Sequence, residues 1–468
     1  MIMANLKKIS FLTIIFILII FVFYTLTFKS GSIKSSLKNF IPEKVKVLLK
    51  SPQYIEDQEK RLRKLKADIV LLNAKYDYIN GNKIEKKITS KLGENYKIII
   101  QPIPFPEYNA FEGKPVGYID IINDNLILAS GTGEFYFSKI SELNSEKLYL
   151  TKIETNLKKV IKDPQFFHYG KPSVRDIFVD NNKLYVGHIR TFNLENETCY
   201  NTAILEAEIM LSNLQFKEFF TFDECGNQKR TSKIYDQRFR LDLVGGRVTN
   251  LDNDHLLLTT GPLGDRPKAQ DKDSLFGKIL SINKKTKEYR MVSMGHRNPQ
   301  GLYFDNEKKI LFSTEHGPKG GDEVNLNLDP FKNPVENFGW PISSYGVHYN
   351  GKFYEEAPLN KSHSDFGFVE PIKYFTPSVG ISQIYRVEES FDSSATNDYF
   401  VAALGYPDQL EEGDRHLHKF KWSDDYKSIK EHDQILIGER IRDLIYIPTI
   451  NAYALLLDKP ALAILYKN

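Results

Sequence analysis

The sequence contains six copies of one pattern, in which a short apolar strand, a polar turn and a second apolar strand follow one another. The second strands begin 54 to 89 residues apart, whereas propeller blades repeat at roughly 40–50 residues, so the extra length predicts inserted loops. Because each such unit needs neighbours on both sides, six of them predict a closed six-bladed β-propeller. The second strands begin near Leu126, Leu184, Leu256, Ile310, Tyr399 and Tyr453.

Composition agrees with an all-β fold. The 468 residues include 26 Tyr and 31 Phe, which favour strands, and the apolar periodicity indicates few long helices. A hydrophobic content of 41% is enough for a large core. The net charge of only +3 argues against nucleic acid as the main partner.

An uncharged run, FLTIIFILIIFVFYTLTF, occupies residues 11–28. It is long enough for a transmembrane helix, and residues 1–30 are therefore interpreted as a membrane anchor. A cleaved signal peptide is the alternative, although no site with two small residues follows the run. More lysines follow the run than precede it, which by itself would place the following domain in the cytoplasm. Long domains can nevertheless cross a membrane despite such charges.

Residues 31–112 are interpreted as a stalk or helical linker region, and residues 113–468 as the propeller. Within the linker, residues 51–74 are rich in charge and place apolar residues at heptad spacing. This pattern favours a short helical stalk that could self-associate, or an amphipathic helix packed on the propeller. The apolar positions are Ile55, Leu62, Leu65, Ile69 and Leu72.

The chain has two cysteines, Cys199 and Cys225. Between them, residues 202–209 and 215–222 predict a hairpin, and the cysteines lie almost symmetrically at its open end. If the domain is exported, this placement predicts a disulfide. Two separate buried thiols are the alternative.

The stretch from Gly295 to Pro341 carries the residues best suited to chemistry. It is a predicted hairpin with charged, Gly-rich loops at its ends. Arg297 offers a fork of donors suited to a carboxylate or a phosphate, and Asn298 offers a donor and an acceptor. In EHGPKGGDE, residues 315–323, the Gly/Pro backbone can turn carbonyl oxygens inward beside carboxylates, as a hard cation such as calcium requires. A polar loop with solvated charges is the plainer alternative.

Four motifs occur in order from Gly295 onward: GHRNPQGL, TEHGPKGGDEVNL, NFGWP and, just beyond Pro341, SYG. Together they resemble the signature of the glucose/sorbosone dehydrogenase family, over roughly Gly113 to the C-terminus. The resemblance implies a sugar dehydrogenase that uses pyrroloquinoline quinone (PQQ) and calcium on a six-bladed propeller. Hydride would pass from an aldose to PQQ, a His would act as general base, and calcium would polarise the quinone.

The resemblance also bears on location, because members of the family are typically exported. It implies a single-pass membrane protein whose propeller is extracytoplasmic, on the periplasmic side of an inner membrane. The partners expected are a small sugar and, through the N-terminal helix, the membrane. The sequence does not identify the electron acceptor.

The resemblance assigns expected roles to the residues that match the family's motifs. Asp322 and Glu323 match a second cation site, which would include the carbonyl of Phe338, where the family usually has Tyr. Arg440 and Arg442 match an R-x-R-D motif, and alternation along a strand would point both to one polyanion. The cofactor contacts implied are Arg297, Asn298, His316, Arg440 and Arg442, and the carbonyls of Gly317 and Pro318 match the calcium ligands beside the cofactor.

Three positions depart from the family pattern. The base position falls on Leu243, and the supporting acid falls on Pro262. A cationic cofactor contact falls near residues 405–406, which are Gly and Tyr. Leucine cannot accept a proton, and Asp242 is expected to face the other way on a strand, so Asp242 and His255 are weak substitutes. The sequence therefore leaves two functions open: a sugar dehydrogenase, or a propeller of the same family that binds a ligand or protein without turnover.

Overall fold

The computed structural model describes residues 72–105, 116–167, 173–231, 239–405 and 415–468, together with residues 61, 62, 65 and 69. The predicted membrane anchor at 11–28 and most of the predicted stalk helix lie outside the described residues. Among the residues that are described, no helix is both long and apolar enough to span a bilayer. A helix covers residues 72–80, and the strands that follow belong to the unit Ile69–Asn468.

The strands of this unit form six sheets, which we number as blades in chain order. Two strands, β1 (Ile84–Thr89) and β2 (Asn95–Pro102), precede blade one. Blade one contains β3 (Gly117–Ile122), β4 (Asn125–Ser130), β5 (Phe135–Lys139) and β6 (Thr151–Thr155). Blade two contains β7 (Val174–Asp180), β8 (Lys183–Leu194), β9 (Glu197–Glu208) and β11 (Lys217–Phe220), and the short β10 (Asn213–Leu214) adds to β6 instead. Blade three contains β12 (Gly245–Asn250), β13 (His255–Thr260), β14 (Lys278–Asn283) and β15 (Tyr289–Met294).

The second half repeats the plan. Blade four contains β16 (Pro299–Asp305), β17 (Ile310–Glu315), β18 (Asp322–Asn327) and β20 (Lys373–Phe375), while β19 (Glu336–Asn337) pairs with β15 of blade three. Blade five contains β21 (Ile381–Arg386), β22 (Asp398–Ala403), β23 (His416–Trp422) and β24 (Ile429–Leu436). Blade six contains β25 (Ile441–Ile447), β26 (Ala452–Leu457) and β27 (Ala461–Lys467). Short helices lie at Leu157–Val160, Ile140–Glu142, Pro164–Phe167, Arg266–Ala269, Ser364–Phe366 and Pro448–Ile450.

The first strand of each blade is its innermost, and these six strands contact one another in cyclic order, β25 against β3 included. The six-bladed propeller predicted from the repeats is therefore confirmed. One apolar cluster fills the space between each pair of neighbouring blades. Each fully buried Leu or Phe in such a cluster stabilises the fold by about 1.5–3 kcal/mol, so these clusters hold neighbouring blades together.

The predicted start of the propeller, near Gly113, needs correction. The earlier strand β2 pairs antiparallel with β27, from Tyr96 opposite Lys467 to Pro102 opposite Ala461, and β1 pairs with β2. Residues 84–102, assigned to a linker from the sequence, are thus the two outer strands of blade six. They cover the edge of the chain's last strand, which would otherwise expose unpaired backbone groups.

Polar contacts at the axis join neighbouring blades. Aspartates on the inner strands accept a hydrogen bond from a backbone N–H of the next blade, which sets the register between blades. The pairs are Asp120 with Val179 (2.6 Å), Asp176 with Val248 (2.8 Å) and Asp443 with Ile119 (3.0 Å). Arg247, which is buried, donates to Asp176 Oδ1 at 2.9 Å and Asp443 Oδ1 at 2.8 Å, so it connects blades two, three and six.

The predicted disulfide between Cys199 and Cys225 is present, with their Cα atoms 4.9 Å apart. Cys199 lies on β9, and Cys225 follows β11, the strand antiparallel to β9. Next to the bridge, Tyr200 and Gly226 exchange backbone hydrogen bonds of 2.9 and 3.1 Å. The hairpin therefore aligns the two cysteines, as their symmetric placement predicted.

Candidate cofactor and cation site

Most of the predicted site residues lie at one end of the propeller, where the inner strands begin. Antiparallel pairing places the start of an inner strand beside the end of the second strand. The loop 295–298 therefore lies next to the loop 316–321, and the His316 amide donates to the Asn298 carbonyl at 3.2 Å.

Arg297 lies buried in the loop before β16. Its Nη1 donates to the His316 carbonyl at 2.7 Å, and its guanidinium lies 5.4 Å from the centre of the Trp340 ring. Burial lowers the pKa of Arg297, and the nearby groups of Tyr349 and Asp242 oppose that effect. No carboxylate of a described residue forms an ion pair with this guanidinium. A buried cation without a counterion favours binding of an anion.

His316 connects this loop to blade five. Its Nε2 donates to the Ile381 carbonyl at 2.5 Å. Burial lowers the pKa of His316, and the charges of Arg297 and Arg442 lower it further, against the opposing effect of Asp322. The imidazole is therefore neutral near pH 7, and it lies within electrostatic range of two of the predicted cofactor-binding arginines.

Asn298 faces blade three. Its Oδ1 accepts from Gln300 Nε2 at 3.0 Å and from the Gly245 amide at 3.4 Å. Gly245 begins β12, two residues after Leu243. Asn298 thus helps to fix the turn that carries the expected base position.

Arg440 and Arg442 meet at one anion, which is a carboxylate of the protein itself. Asp458 Oδ2 accepts from Arg440 Nε at 3.0 Å and from Arg442 Nη2 at 2.8 Å, and its Oδ1 accepts from Arg442 Nε at 3.0 Å. Arg440 Nη1 also donates to the carbonyls of Leu404 and Gly405, each at 3.0 Å. Sequence alternation predicted that the pair would point together but did not reveal Asp458.

The loop between β17 and β18 is shaped by Asp322. Its Oδ1 accepts from the Gly317 amide at 3.0 Å, and its Oδ2 accepts from the amides of Gly380 and Ile381 at 2.7 and 3.1 Å. Both carboxylate oxygens are therefore engaged in fixing the loop against blade five, where the sequence predicted a cation ligand. Among the described residues, no cluster of three or more His, Cys, Asp or Glu side chains could hold a metal.

The carbonyl oxygens of Gly317 and Pro318 accept no hydrogen bond from another described residue. A Cβ on Gly317 would collide with the backbone of Gly321, so this tight loop requires glycine there. Unpaired carbonyls on a tight loop suit a hard cation that receives its remaining ligands from a cofactor.

Glu323 is buried and lies opposite Glu315 in the β17–β18 pair. Its Oε1 is 3.5 Å from His363 Nε2, and His363 Nδ1 lies 3.0 Å from the Phe338 carbonyl oxygen. Burial raises the pKa of Glu323, and Glu315 raises it further, whereas His363 lowers it. Glu323 and the Phe338 carbonyl, both predicted cation ligands, therefore have an imidazole between them.

Leu243 and Asp242 lie in a turn before β12, not on a strand. Leu243 is buried, and its carbonyl accepts from the Leu263 amide at 2.9 Å. The expectation that Asp242 faces away assumed strand alternation, which does not apply in a turn. Both oxygens of Asp242 accept from Arg240, with Nε to Oδ1 at 3.1 Å. Burial raises the pKa of Asp242, but Arg240 lowers it below its usual value, so the carboxylate is ionised.

His255 is excluded as a substitute base. It begins β13, whereas the turn of Leu243 lies beside the other end, at Thr260. Five strand residues separate the two ends by about 17 Å. His255 instead lies with its Nδ1 2.9 Å from Asp252 Oδ1.

Three residues near the site were not foreseen from the sequence. Asp458 and His363 belong to none of the recognised motifs, and each meets its partner only in the folded chain. Trp340 lay within NFGWP, but nothing in that motif indicated that its ring would lie against Arg297. All three residues are recognised by their closeness in space to an arginine or a carboxylate. A single sequence does not contain that information.

The fold and these loops define a class: a six-bladed propeller whose Gly-rich loop and arginines face one end of the ring. The glucose/sorbosone dehydrogenase family matches residues 178–462, and the chain belongs to that family. It is 30% identical over 215 residues to the aldose sugar dehydrogenase YliI of Escherichia coli, covering 43% of this chain and 53% of that protein. It is 32% identical over 117 residues to the quinoprotein glucose dehydrogenase B of Acinetobacter calcoaceticus, covering 22% of this chain and 23% of that protein.

In these comparisons, the chain spans about half or less of the length of the curated relatives. Solved structures extend the likeness of the fold. The apo form of the soluble aldose sugar dehydrogenase from Escherichia coli has a TM-score of 0.57 at 19% identity, covering 82% of this chain and 99% of that one. A PQQ-bound aldose sugar dehydrogenase from Streptomyces coelicolor has a TM-score of 0.51 at 16% identity, covering 76% and 95%.

Proposed function

We propose that this protein is a PQQ-dependent dehydrogenase of aldose sugars, with a calcium ion at the loop of Gly317 and Pro318. The observation that carries the proposal is Arg297, a buried guanidinium with no carboxylate partner among the described residues. The curated relatives named as aldose sugar and quinoprotein glucose dehydrogenases support the same reaction class.

The residues present fit PQQ, which is a planar tricarboxylate. Arg297 would hold one carboxylate, and the adjacent guanidinium groups of Arg440 and Arg442 would donate to another. The Trp340 ring beside Arg297 offers an apolar surface to a planar group. When bound, PQQ supplies a quinone that accepts hydride from the sugar.

Calcium fits one of its two expected places. The unpaired carbonyls of Gly317 and Pro318 are suitable ligands, and the ion would complete its shell with the cofactor. The second place does not fit, because Asp322 is engaged by three backbone amides and Glu323 by His363.

Proton removal distinguishes the two functions left open by the sequence. The sugar hydroxyl needs a base within about 2.6–3.2 Å, directly or through one water, and Leu243 cannot serve. Asp242, in the same turn, is ionised, but Arg240 engages both of its oxygens. This arrangement favours a second candidate, a propeller that binds PQQ or a related polyanion without efficient turnover.

The proposed location is a single-pass anchor in an inner membrane with the propeller on the periplasmic side. The Cys199–Cys225 disulfide supports it, because such bonds persist in oxidising compartments. A cysteine-reactive probe applied to intact and reduced spheroplasts tests it. We expect labelling only after reduction, and labelling that requires lysis of the inner membrane contradicts the location.

The function is tested with the full chain, PQQ, calcium and a dye acceptor over several aldoses. We expect PQQ binding, detected by quenching of tryptophan fluorescence, and oxidation much slower than the family pattern implies. Binding with no measurable dye reduction supports the non-catalytic function. Failure to bind PQQ contradicts both the dehydrogenase and the cofactor roles of Arg297, Arg440 and Arg442.

A further inference from the structure

His363 lies between two groups that the family resemblance assigns to a bound cation. Its Nδ1 is 3.0 Å from the Phe338 carbonyl oxygen, and its Nε2 is 3.5 Å from Glu323 Oε1. Nδ1 donates to the carbonyl, whereas the buried Nε2 faces the carboxyl group of Glu323 and has no hydrogen-bond partner among the described residues. The ring therefore fills the space between these two groups, where a metal ion bound to both would have to lie.

The surroundings of this imidazole are rich in oxygen and buried. Glu323 and Glu315 are 5% and 3% exposed and lie opposite each other across the β17–β18 pair. Asn325 Nδ2 donates to Glu315 Oε1 at 2.8 Å, and the buried Oδ1 of Asn325 has no hydrogen-bond partner among the described residues. Two buried carboxylates, an amide oxygen and a carbonyl are the ligand types that calcium takes. Glu315 also accepts from the Arg297 amide at 2.6 Å, so Glu323 is the carboxyl group here that a cation would balance.

The chain builds His363 into this position. Its backbone amide donates to Glu370 Oε1 at 2.7 Å, and the same carboxylate receives the Ser364 amide at 2.8 Å. The Tyr345 ring stacks on the imidazole with an interplanar angle of 16°. A Cβ at Gly339 would lie 3.1 Å from Nδ1, so glycine leaves room for the ring beside the Phe338 carbonyl. These contacts hold the imidazole before any ligand binds.

We propose that the side chain of His363 takes the place of a structural cation between blade four and the loop that carries Phe338. The protein would then join Glu323 to the Phe338 carbonyl without a metal, and calcium would be needed only at Gly317 and Pro318. The proposal concerns a site separate from the reaction, and its test does not require activity.

The test is thermal unfolding of the purified full chain and its variants, with EDTA and then with excess calcium. Replacement by His363→Ala removes the ring, and we expect the Tm in EDTA to fall by about 3–6 °C. The variant His363→Asp supplies a third carboxylate, and we expect a larger fall in EDTA that calcium largely reverses. Adding Glu323→Gln to His363→Asp should abolish that response to calcium, because the ion loses a ligand. His255→Ala is the matched control, since His255 also pairs with a carboxylate but lies at the opposite end of blade three.

Calcium bound at Gly317 and Pro318 would raise the Tm of the unmodified chain and of Glu323→Gln equally, so comparing these two proteins isolates the site at Glu323. Equal responses, together with a calcium response gained by His363→Asp, support the proposal. A response in the unmodified chain that Glu323→Gln reduces means that an ion binds beside His363, and the proposal is then wrong. The proposal is equally wrong if His363→Asp gains no response to calcium, because the position would then not accept a cation.

Discussion

Two arginines at the centre of the propeller, Arg247 and Arg297, are buried to a similar degree but have opposite surroundings. Arg247 is 3% exposed and donates to two carboxylates, those of Asp176 and Asp443. Arg297 is 6% exposed, and within the described part of the chain its side chain donates to one group, the His316 carbonyl. A charge whose partners come from its own chain is part of the fold, whereas a buried charge that lacks them marks a binding site.

The largest expected effect tests the structural half of this comparison. Replacing Arg247 with Met should lower the free energy of unfolding by about 3–5 kcal/mol, because Asp176 and Asp443 would be left buried without a counterion. Replacing Arg297 with Met is the matched change, and it should alter stability by no more than about 1 kcal/mol, the value of one hydrogen bond. Urea unfolding of both variants measures the difference in the free energy of unfolding. Equal losses of this free energy would contradict the distinction between a structural and a binding arginine.

The second effect concerns binding. Replacing Arg297 or Arg442 with Ala should weaken PQQ binding by about 1.5–3 kcal/mol, through loss of a charged hydrogen bond. The Arg442 variant should also lose stability, since Asp458 would lose two of the three side-chain hydrogen bonds that it accepts from described residues. The Arg297 variant should not. Fluorescence titration and urea unfolding on the same samples separate the two outcomes, and unchanged PQQ affinity in the Arg297 variant would contradict its assignment to the cofactor.

The same comparison explains what the sequence could predict. Inner strands such as β12 and β16 were predictable because apolar runs and polar turns are local signals. The disulfide was predictable because one hairpin places both cysteines. The strand β2 was not, since its partner β27 is more than three hundred residues away in the chain. Contacts between distant segments leave no trace in a local pattern.

Within the site, motifs predicted which residues gather but not how their charges are balanced. Arg440 and Arg442 were expected to point together, yet their shared partner Asp458 was not expected. Asp322 was predicted to bind a cation, and the three amides from which it accepts hydrogen bonds were not foreseen. Asp242 was placed on a strand, and the turn that it occupies changes the direction of its side chain. Each difference depends on groups that meet only after folding.

The smallest effect is expected from changing Leu243, and this change tests catalysis separately from binding of the cofactor. A sugar carbon gives up hydride only as its hydroxyl proton leaves, and a positioned base typically contributes about 10²–10⁴ in rate. Leucine supplies none of this, and Asp242 is paired with Arg240. Replacing Leu243 with His should therefore raise dye reduction by PQQ-loaded protein about tenfold or more. The gain in rate should be smaller than the full contribution of a positioned base, because Pro262 cannot orient the new imidazole as a carboxylate would.

Two features of that experiment separate a base from a general change of shape. The rate of Leu243→His should rise with pH through the pKa of the new imidazole, whereas Leu243→Phe, which is bulky but cannot accept a proton, should show neither the gain nor the pH profile. The affinity for PQQ should stay the same in all three proteins, because Arg297 is untouched. If the unmodified protein is already fully active and Leu243→His slows it, another residue supplies the base. Asp242 is then the first to replace, by Asn, since its turn already brings it within electrostatic range of Arg297.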